Sequence, residues 1–192
     1  QGPCMIGQLP ESLSVSGVEY GIRTDFRDVL SILEAFNDPE LENSERVYVC
    51  LFILFRDFDA IPPEHYEEAF KRALWFIDCG ADPDQKTPKT KPRTMDWEQD
   101  ENILFPAVNR VAGREVRALP YLHWWTFYGY FMEIQEGVFS HVLSLRQKKA
   151  SGKKLEKWER DFWNANKDIC ELKTKLTAEE QAAKDRLNAL LG

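Results

Sequence analysis

The residues best suited to chemistry are isolated along this chain. His65, His123 and His141 each stand alone, and none has a second histidine four positions away, the spacing at which two imidazoles on one helix face share a metal ion. No serine or cysteine lies in a nucleophile-elbow context, and no glycine pattern of a phosphate-binding loop is present. We therefore predict a protein without a catalytic centre, metal or cofactor.

The acidic residues near His65 have two interpretations. Glu64, Glu67 and Glu68 precede an apolar stripe, where acids complement the dipole of a helix start; a ligand cluster is the weaker alternative. His123 and Glu133 lie ten positions apart on one predicted helix. That separation is roughly 15 Å, too far for a direct acid–base pair.

The cysteines predict neither a disulfide framework nor a zinc site. Cys50, Cys79 and Cys170 are far apart, and no pair has the spacing of a C-x-x-C motif. Free thiols are typical of a reducing cytosol. The fourth cysteine, Cys4, falls in residues 1–4, which are typical of the remnant of a cleavable expression tag.

The strongest local feature is an aromatic segment, in which seven of the eleven residues from Tyr121 to Phe131 are aromatic. One interpretation is the core helix of its module, and the other is an aromatic groove for an apolar partner, since Trp and Tyr are enriched at binding hot spots. The two interpretations are compatible if one face of the helix packs in the core and the other face binds a partner. The candidate groove residues are Tyr121, Trp124, Trp125, Tyr128 and Phe131.

A basic run follows the aromatic segment. Residues 146–160 contain seven Lys and Arg against two acids, and Arg146 and Lys149 are its candidate binding residues. A solvated basic face, or a docking surface for an acidic partner, is favoured over nucleic acid, because the chain carries a net charge of −7 and the run interleaves only one aromatic residue, Trp158.

Charge is distributed unevenly between the two halves. Residues 1–100 hold 10 Lys and Arg against 20 Asp and Glu, whereas residues 101–192 hold 15 against 12. The simple interpretation is two solvated surfaces of one domain; the other is self-association in which the acidic front of one copy meets the basic rear of another. The most apolar stretch, Val47–Phe55, is about nine residues long, too short to span a bilayer.

The hydrophobic pattern predicts a mainly α, helical bundle-like domain with a small N-terminal β-hairpin. Residues 5–81 form the hairpin and a helical front module, residues 82–95 a flexible linker, and residues 96–192 a helical rear module. This layout leaves open a core shared by both modules.

Local signals place the main elements. Alternation on both sides of Ser16-Gly17 predicts the hairpin, and Thr24 is the expected N-cap of the first helix. The second helix opens at Ser44 and is apolar almost all round, so we expect it to be central and buried. Asp96 is expected to cap the first rear helix, and Thr177 with Glu180 forms a capping box for the last.

Several segments of the chain carry a resemblance to a known family. They are Gly17–Tyr20, Ile22–Arg27, Leu122–Ile134, Gly137–Ser140, Leu145-Arg146 and Gly152–Arg160. Together they resemble the siphophage gene-product-fifteen family over most of residues 5–170. The block around Trp124-Trp125 is the most specific part, and the tail beyond about residue 175 is generic helix.

The resemblance implies a bacteriophage protein encoded beside the tape measure protein of a long tail, a position typical of tail assembly chaperones. Such a protein binds the tape measure protein, assists tail-tube subunits, acts in the cytoplasm of the bacterial host and is absent from the mature virion. It implies no catalytic residues, and we expect neither nucleic-acid nor membrane binding. The alternatives are a minor structural tail or connector protein of the virion and, more remotely, a small phage enzyme.

Overall fold

The computed structural model describes residues 7–81 and 93–191, with side chains described up to residue 189. The expected tag remnant at residues 1–4 lies outside this range, as do residues 82–92 of the expected linker. The remaining linker residues are described: the Thr94 carbonyl accepts a hydrogen bond from Arg146, and Met95 packs against the core.

The described residues form nine α-helices and a two-stranded antiparallel hairpin, which confirms the predicted fold class. Short 3₁₀ turns connect some of the helices. The elements are β1 Ser12–Val15, β2 Val18–Gly21, α1 Phe26–Phe36, α2 Asn43–Leu54, α3 Tyr66–Ile77, α4 Glu101–Ala112, α5 Trp124–Met132, α6 Val138–Ala150, α7 Lys157–Ala165, α8 Lys167–Cys170 and α9 Ala178–Leu191.

The hairpin packs on the helices through one face. Leu13 and Val15 are buried, and the turn between the strands has positive φ at both Ser16 and Gly17, the conformation of a type I′ hairpin turn. Glu68 on α3 holds this turn: its carboxylate accepts hydrogen bonds from the Ser16 backbone N–H (3.0 Å) and hydroxyl (2.7 Å).

A single buried cluster contains residues from both sides of the gap at residues 82–92. Phe26 of α1 stacks on Phe127 of α5 with ring centroids 4.6 Å apart, and Phe105 of α4 lies against both rings. The backbones join as well, since Phe26 N–H donates to the Leu122 carbonyl and Trp124 N–H to the Thr24 carbonyl. The packing of α5 is therefore set by residues from the front of the chain.

A smaller cluster lies at the rear. Val142 and Leu145 of α6 pack with Trp163 of α7 and Cys170 of α8. The predicted capping box before α9 is confirmed, with Thr177 and Glu180 exchanging hydrogen bonds.

Two expected helix caps were wrong. Asp25, not Thr24, caps α1 by accepting from Arg27 N–H, while the buried Thr24 hydroxyl is hydrogen-bonded to Tyr121 instead. The first rear helix begins at Glu101 with Asp100 at its N-cap, because Asp96 instead accepts backbone N–H bonds in the turn that precedes it.

The expectation that α2 is buried on all sides was also wrong. The helix begins at Asn43, one residue before Ser44, and buries Cys50, Leu51 and Leu54. Its other face carries Tyr48 and Phe52, 52% and 58% exposed. The helix packs against α1 and α3 on one side. Because its apolar residues do not form a clear stripe, the sequence did not indicate which side would be buried.

Candidate functional site

The aromatic segment is organised by His123, the N-cap of α5. Its Nδ1 accepts a hydrogen bond from Trp125 N–H (3.1 Å), so its Nε2 carries the proton and donates to the Pro10 carbonyl (3.1 Å). Both ring nitrogens are thus used by the fold, and the imidazole acts as a structural cap.

The two tryptophans of α5 hold the end of α3. Trp124 Nε1 donates to the Ile77 carbonyl (2.9 Å), and Trp125 Nε1 donates to the Phe76 carbonyl (2.8 Å). The last carbonyls of a helix have no α-helical partner. The Trp124 indole supplies an N–H donor for the Ile77 carbonyl, whereas the Phe76 carbonyl also accepts a hydrogen bond from the Cys79 backbone N–H (3.1 Å). Trp124 is almost fully buried, whereas Trp125 is half-buried.

One stripe of α5 remains partly open. Trp125, Tyr128, Gly129 and Met132 follow the i, i+3, i+4, i+7 spacing that places side chains along one helix face, and we call them the α5 face. Met132 is 63% exposed, and Gly129 is exposed with no atom within 4 Å of the position its Cβ would occupy. This face is apolar and aromatic, and the missing side chain of Gly129 leaves a notch at its centre.

The structure does not bring all the predicted groove residues together. Trp124 is almost fully buried beside Phe127, the other buried residue of the helix, so Trp124 is a core residue and is removed from the predicted groove. Phe131 is half-buried against Trp97 (ring centroids 5.0 Å apart). Tyr121 precedes the helix and is exposed, with its hydroxyl 2.7 Å from the Thr24 hydroxyl.

The basic run also divides. Arg146 is buried and ion-paired with Asp100, so its assignment to the basic docking surface was wrong. Nothing in the sequence of the basic run distinguished Arg146 as the residue with a buried partner. Lys149 is exposed, with its Nζ 3.9 Å from the centroid of the Trp163 ring. The solvated part of the run begins after Arg146.

A polar cleft lies where α1, the end of α2 and the start of the aromatic segment meet. Its volume is about 460 Å³. Its arginines are hydrogen-bonded to backbone carbonyls. Arg23 donates to three carbonyls at the end of α2, those of Phe52, Ile53 and Phe55. Arg56 donates to the Ile22 carbonyl. Burial, and then the neighbouring Asp25, raises the pKa of Asp28 at the cleft. The lining residues are Arg23, Thr24, Asp25, Asp28, Arg56 and Tyr121.

A surface that the sequence interpretation missed lies on α2. Tyr48 and Phe52 stack in parallel with ring centroids 6.3 Å apart, and both meet Phe58 edge-on. Tyr66 stacks on the other side of Phe58 at 5.2 Å. We call these four residues the α2 patch. The signal that could have found it is the pair of aromatics four positions apart on a helix that has no single apolar stripe.

The described residues contain neither a metal-binding cluster nor a membrane-spanning helix. No group of three His, Cys, Asp or Glu side chains is placed to hold a metal ion within residues 7–81 and 93–191. In the same part of the chain, no helix has the length and apolar character needed to cross a membrane.

Comparison with known protein families finds a match over most of the chain. Residues 5–172 match the family described as bacteriophage Gp15 protein. The match includes the hairpin and α1 to α8, and it ends before α9. No curated protein and no solved structure matches the chain significantly.

Proposed function

The chain belongs to the bacteriophage Gp15 family and is a phage protein, and on that premise we propose that it is a non-catalytic tail assembly chaperone that binds the tape measure protein. It acts in the cytoplasm of the infected bacterium, assists assembly of the tail tube around the tape measure protein, and leaves before the virion is complete. The likeness of the Trp124-Trp125 block and its neighbours to the siphophage family supports this role.

The observation that carries the proposal is the α5 face. A tape measure protein presents long apolar helical stripes before the tube covers them, and such stripes bind in apolar grooves through residues spaced i, i+3, i+4, i+7. The α5 face offers exposed Met132 beside half-buried Trp125 and Tyr128. Anchors that are already held in place lose little conformational entropy on binding, and Trp125 is held by its hydrogen bond to Phe76.

Gly129 supports the same surface. A glycine within a helix costs about 0.5–1 kcal/mol relative to alanine, and no atom of the described chain approaches the space that an alanine methyl would fill. The fold itself therefore gains nothing from the missing side chain. A helix of the tape measure protein that crosses α5 at this notch would approach the backbone closely.

Each copy is expected to bind weakly, so that tail-tube subunits can displace it. High occupancy would come from many copies bound in a row along one long chain, because contacts between neighbouring copies raise the effective concentration at each adjacent site.

The direct test is co-expression with the tape measure protein of the same genome, followed by affinity purification. The wild-type chain should keep the tape measure protein soluble and co-purify with it. Met132→Arg should lose this binding, whereas Val18→Arg, a matched change at an exposed apolar residue of the hairpin, should retain it. A tape measure protein that stays insoluble and unbound would remove the proposal, and mass spectrometry of purified virions would then test for a structural tail or connector protein.

A further inference from the structure

The α2 patch presents two exposed aromatic rings, Tyr48 and Phe52, packed on buried Phe58, and it has an acidic rim. Glu45 lies one helical turn before Tyr48, Asp57 and Asp59 flank Phe58, and Glu64 precedes Tyr66 by two residues; all four carboxylates are exposed. None of the four forms an ion pair within the described part of the chain. Two arginines are neighbours of these residues in sequence: Arg46, which donates to the Asp38 carbonyl, and Arg56, whose Nε donates to the Ile22 carbonyl.

A second exposed aromatic surface, with the opposite charge, lies on α7. Trp158 is 60% exposed, and its ring stacks almost parallel on His141 of α6, with centroids 5.4 Å apart and an interplanar angle of 13°. We call Trp158 and His141, with the basic side chains around them, the Trp158 patch. These basic side chains are Lys153, Lys154, Lys157 and Arg160.

The cations of the Trp158 patch are available for a partner. All four are exposed, and none is ion-paired among residues 7–81 and 93–191. The acids beside them are Glu156, whose carboxylate caps α7, buried Glu159, which is ion-paired with Lys148, and exposed Asp161. The balance of the patch is therefore basic around a flat aromatic ring.

We propose that the α2 patch of one copy binds the Trp158 patch of a second copy. Tyr48 and Phe52 would pack against the Trp158 indole, while lysines of one copy face the carboxylates of the other. Complementary potentials of this kind steer association and set orientation. Aromatic rings at the centre and charges at the rim are the arrangement expected of a specific interface.

This contact is heterologous, because it joins two different surfaces. Each pairing leaves one α2 patch and one Trp158 patch unused at the ends, so copies add head to tail and form an open chain or a ring. The α5 face takes no part in the contact. Self-association and tape measure binding are therefore separate properties of the molecule.

The test uses two variants that each block one patch. Phe52→Arg places a positive charge in the α2 patch, and Trp158→Glu places a negative charge in the Trp158 patch. Sedimentation velocity of the wild-type chain alone should show a mass that rises with concentration and falls with added salt. Each variant alone should weaken self-association by at least about tenfold, because it removes a central aromatic anchor.

Mixing the two variants gives the decisive measurement. Each retains one intact patch, so the mixture should form a 1:1 dimer that grows no further. Leu187→Glu, at an exposed residue of α9, is the matched control and should assemble like the wild-type chain. Circular dichroism melting checks that each variant is folded; if Trp158→Glu is not, Lys154→Glu combined with Lys157→Glu replaces it.

Three results would overturn the proposal. The first is a wild-type chain that stays monomeric at high concentration and low salt, which would assign the two patches to other proteins. The second is unchanged assembly of both variants. The third is a mixture of variants with no dimer although the wild-type chain assembles, which indicates a symmetric interface. None of these results concerns the tape measure protein, so the chaperone proposal is tested independently.

Discussion

Arg146 and Asp100, 46 positions apart, form a bidentate ion pair in the interior, with Arg146 Nη1 2.7 Å from Oδ2 and Nη2 2.8 Å from Oδ1. Arg146 also donates to the carbonyls of Thr94, Ile169 and Cys170. Asp100 is the N-cap of α4, and Arg146 lies on α6. One guanidinium therefore connects α4, α6, α8 and the segment that precedes α4.

Replacement of Arg146 by methionine should destabilise the protein by about 3–5 kcal/mol, since it leaves the Asp100 carboxylate buried without its counter-charge. Urea unfolding monitored by tryptophan fluorescence measures the change. Lys154→Met, at an exposed lysine that forms no ion pair within the described part of the chain, is the control and should change the free energy of unfolding by less than about 0.5 kcal/mol. Equal effects of the two changes would contradict the structural role of Arg146.

Trp124→Phe should cost about 1–3 kcal/mol, because it leaves the buried Ile77 carbonyl without its donor. Trp125→Phe should cost less, since Trp125 is half-buried and the Phe76 carbonyl keeps the Cys79 backbone N–H as a second donor. The free energies of unfolding of the two single variants, measured side by side, check the order. A larger loss of stability in Trp125→Phe than in Trp124→Phe would mean that Trp125 contributes more than Trp124 to holding the end of α3.

Gly129→Ala should raise the stability of the free protein and weaken its binding to the tape measure protein. Stability should rise by about 0.5–1 kcal/mol, because alanine has the better helix propensity and its methyl group meets no neighbour. Thermal melting of the chain alone and affinity purification with its partner measure the two effects. Higher stability with unchanged binding would remove Gly129 from the proposed interface.

Glu115 should make a pH-dependent contribution to stability. Hydrogen bonds from the Arg117 side chain and backbone hold the pKa of this carboxyl at about 2, below its ordinary 4.5. A lowered folded-state pKa means that the contribution is complete above pH 4.5 and is lost as the pH falls toward about 2. Because Glu115 is exposed, the effect is small.

The comparison for Glu115 is Glu115→Gln, followed by unfolding across this pH range. The wild-type protein should be the more stable of the two above pH 4.5, and the difference should shrink as the pH falls toward 2. A difference that is constant with pH would show that the charge of Glu115 does not contribute.

Local signals in the sequence predicted the parts of the fold that depend on neighbouring residues. The hairpin follows from alternation around Ser16-Gly17, where the turn requires positive φ, and the start of α9 follows from the Thr177 and Glu180 capping box. Both depend on contacts within a few positions. The mainly α class follows from the same kind of information, summed over many turns.

Tertiary contacts alone decided which apolar and charged residues are buried. The composition of α2 and α5 shows that they are hydrophobic, but a helix with apolar residues on most sides does not indicate which face its neighbours will cover. Tyr48 and Phe52 became surface and Trp124 became core for that reason. Arg146 lies in a lysine-rich run like any solvated cation, and only the fold brings Asp100 to it, because burial of a charge depends on a partner distant in sequence.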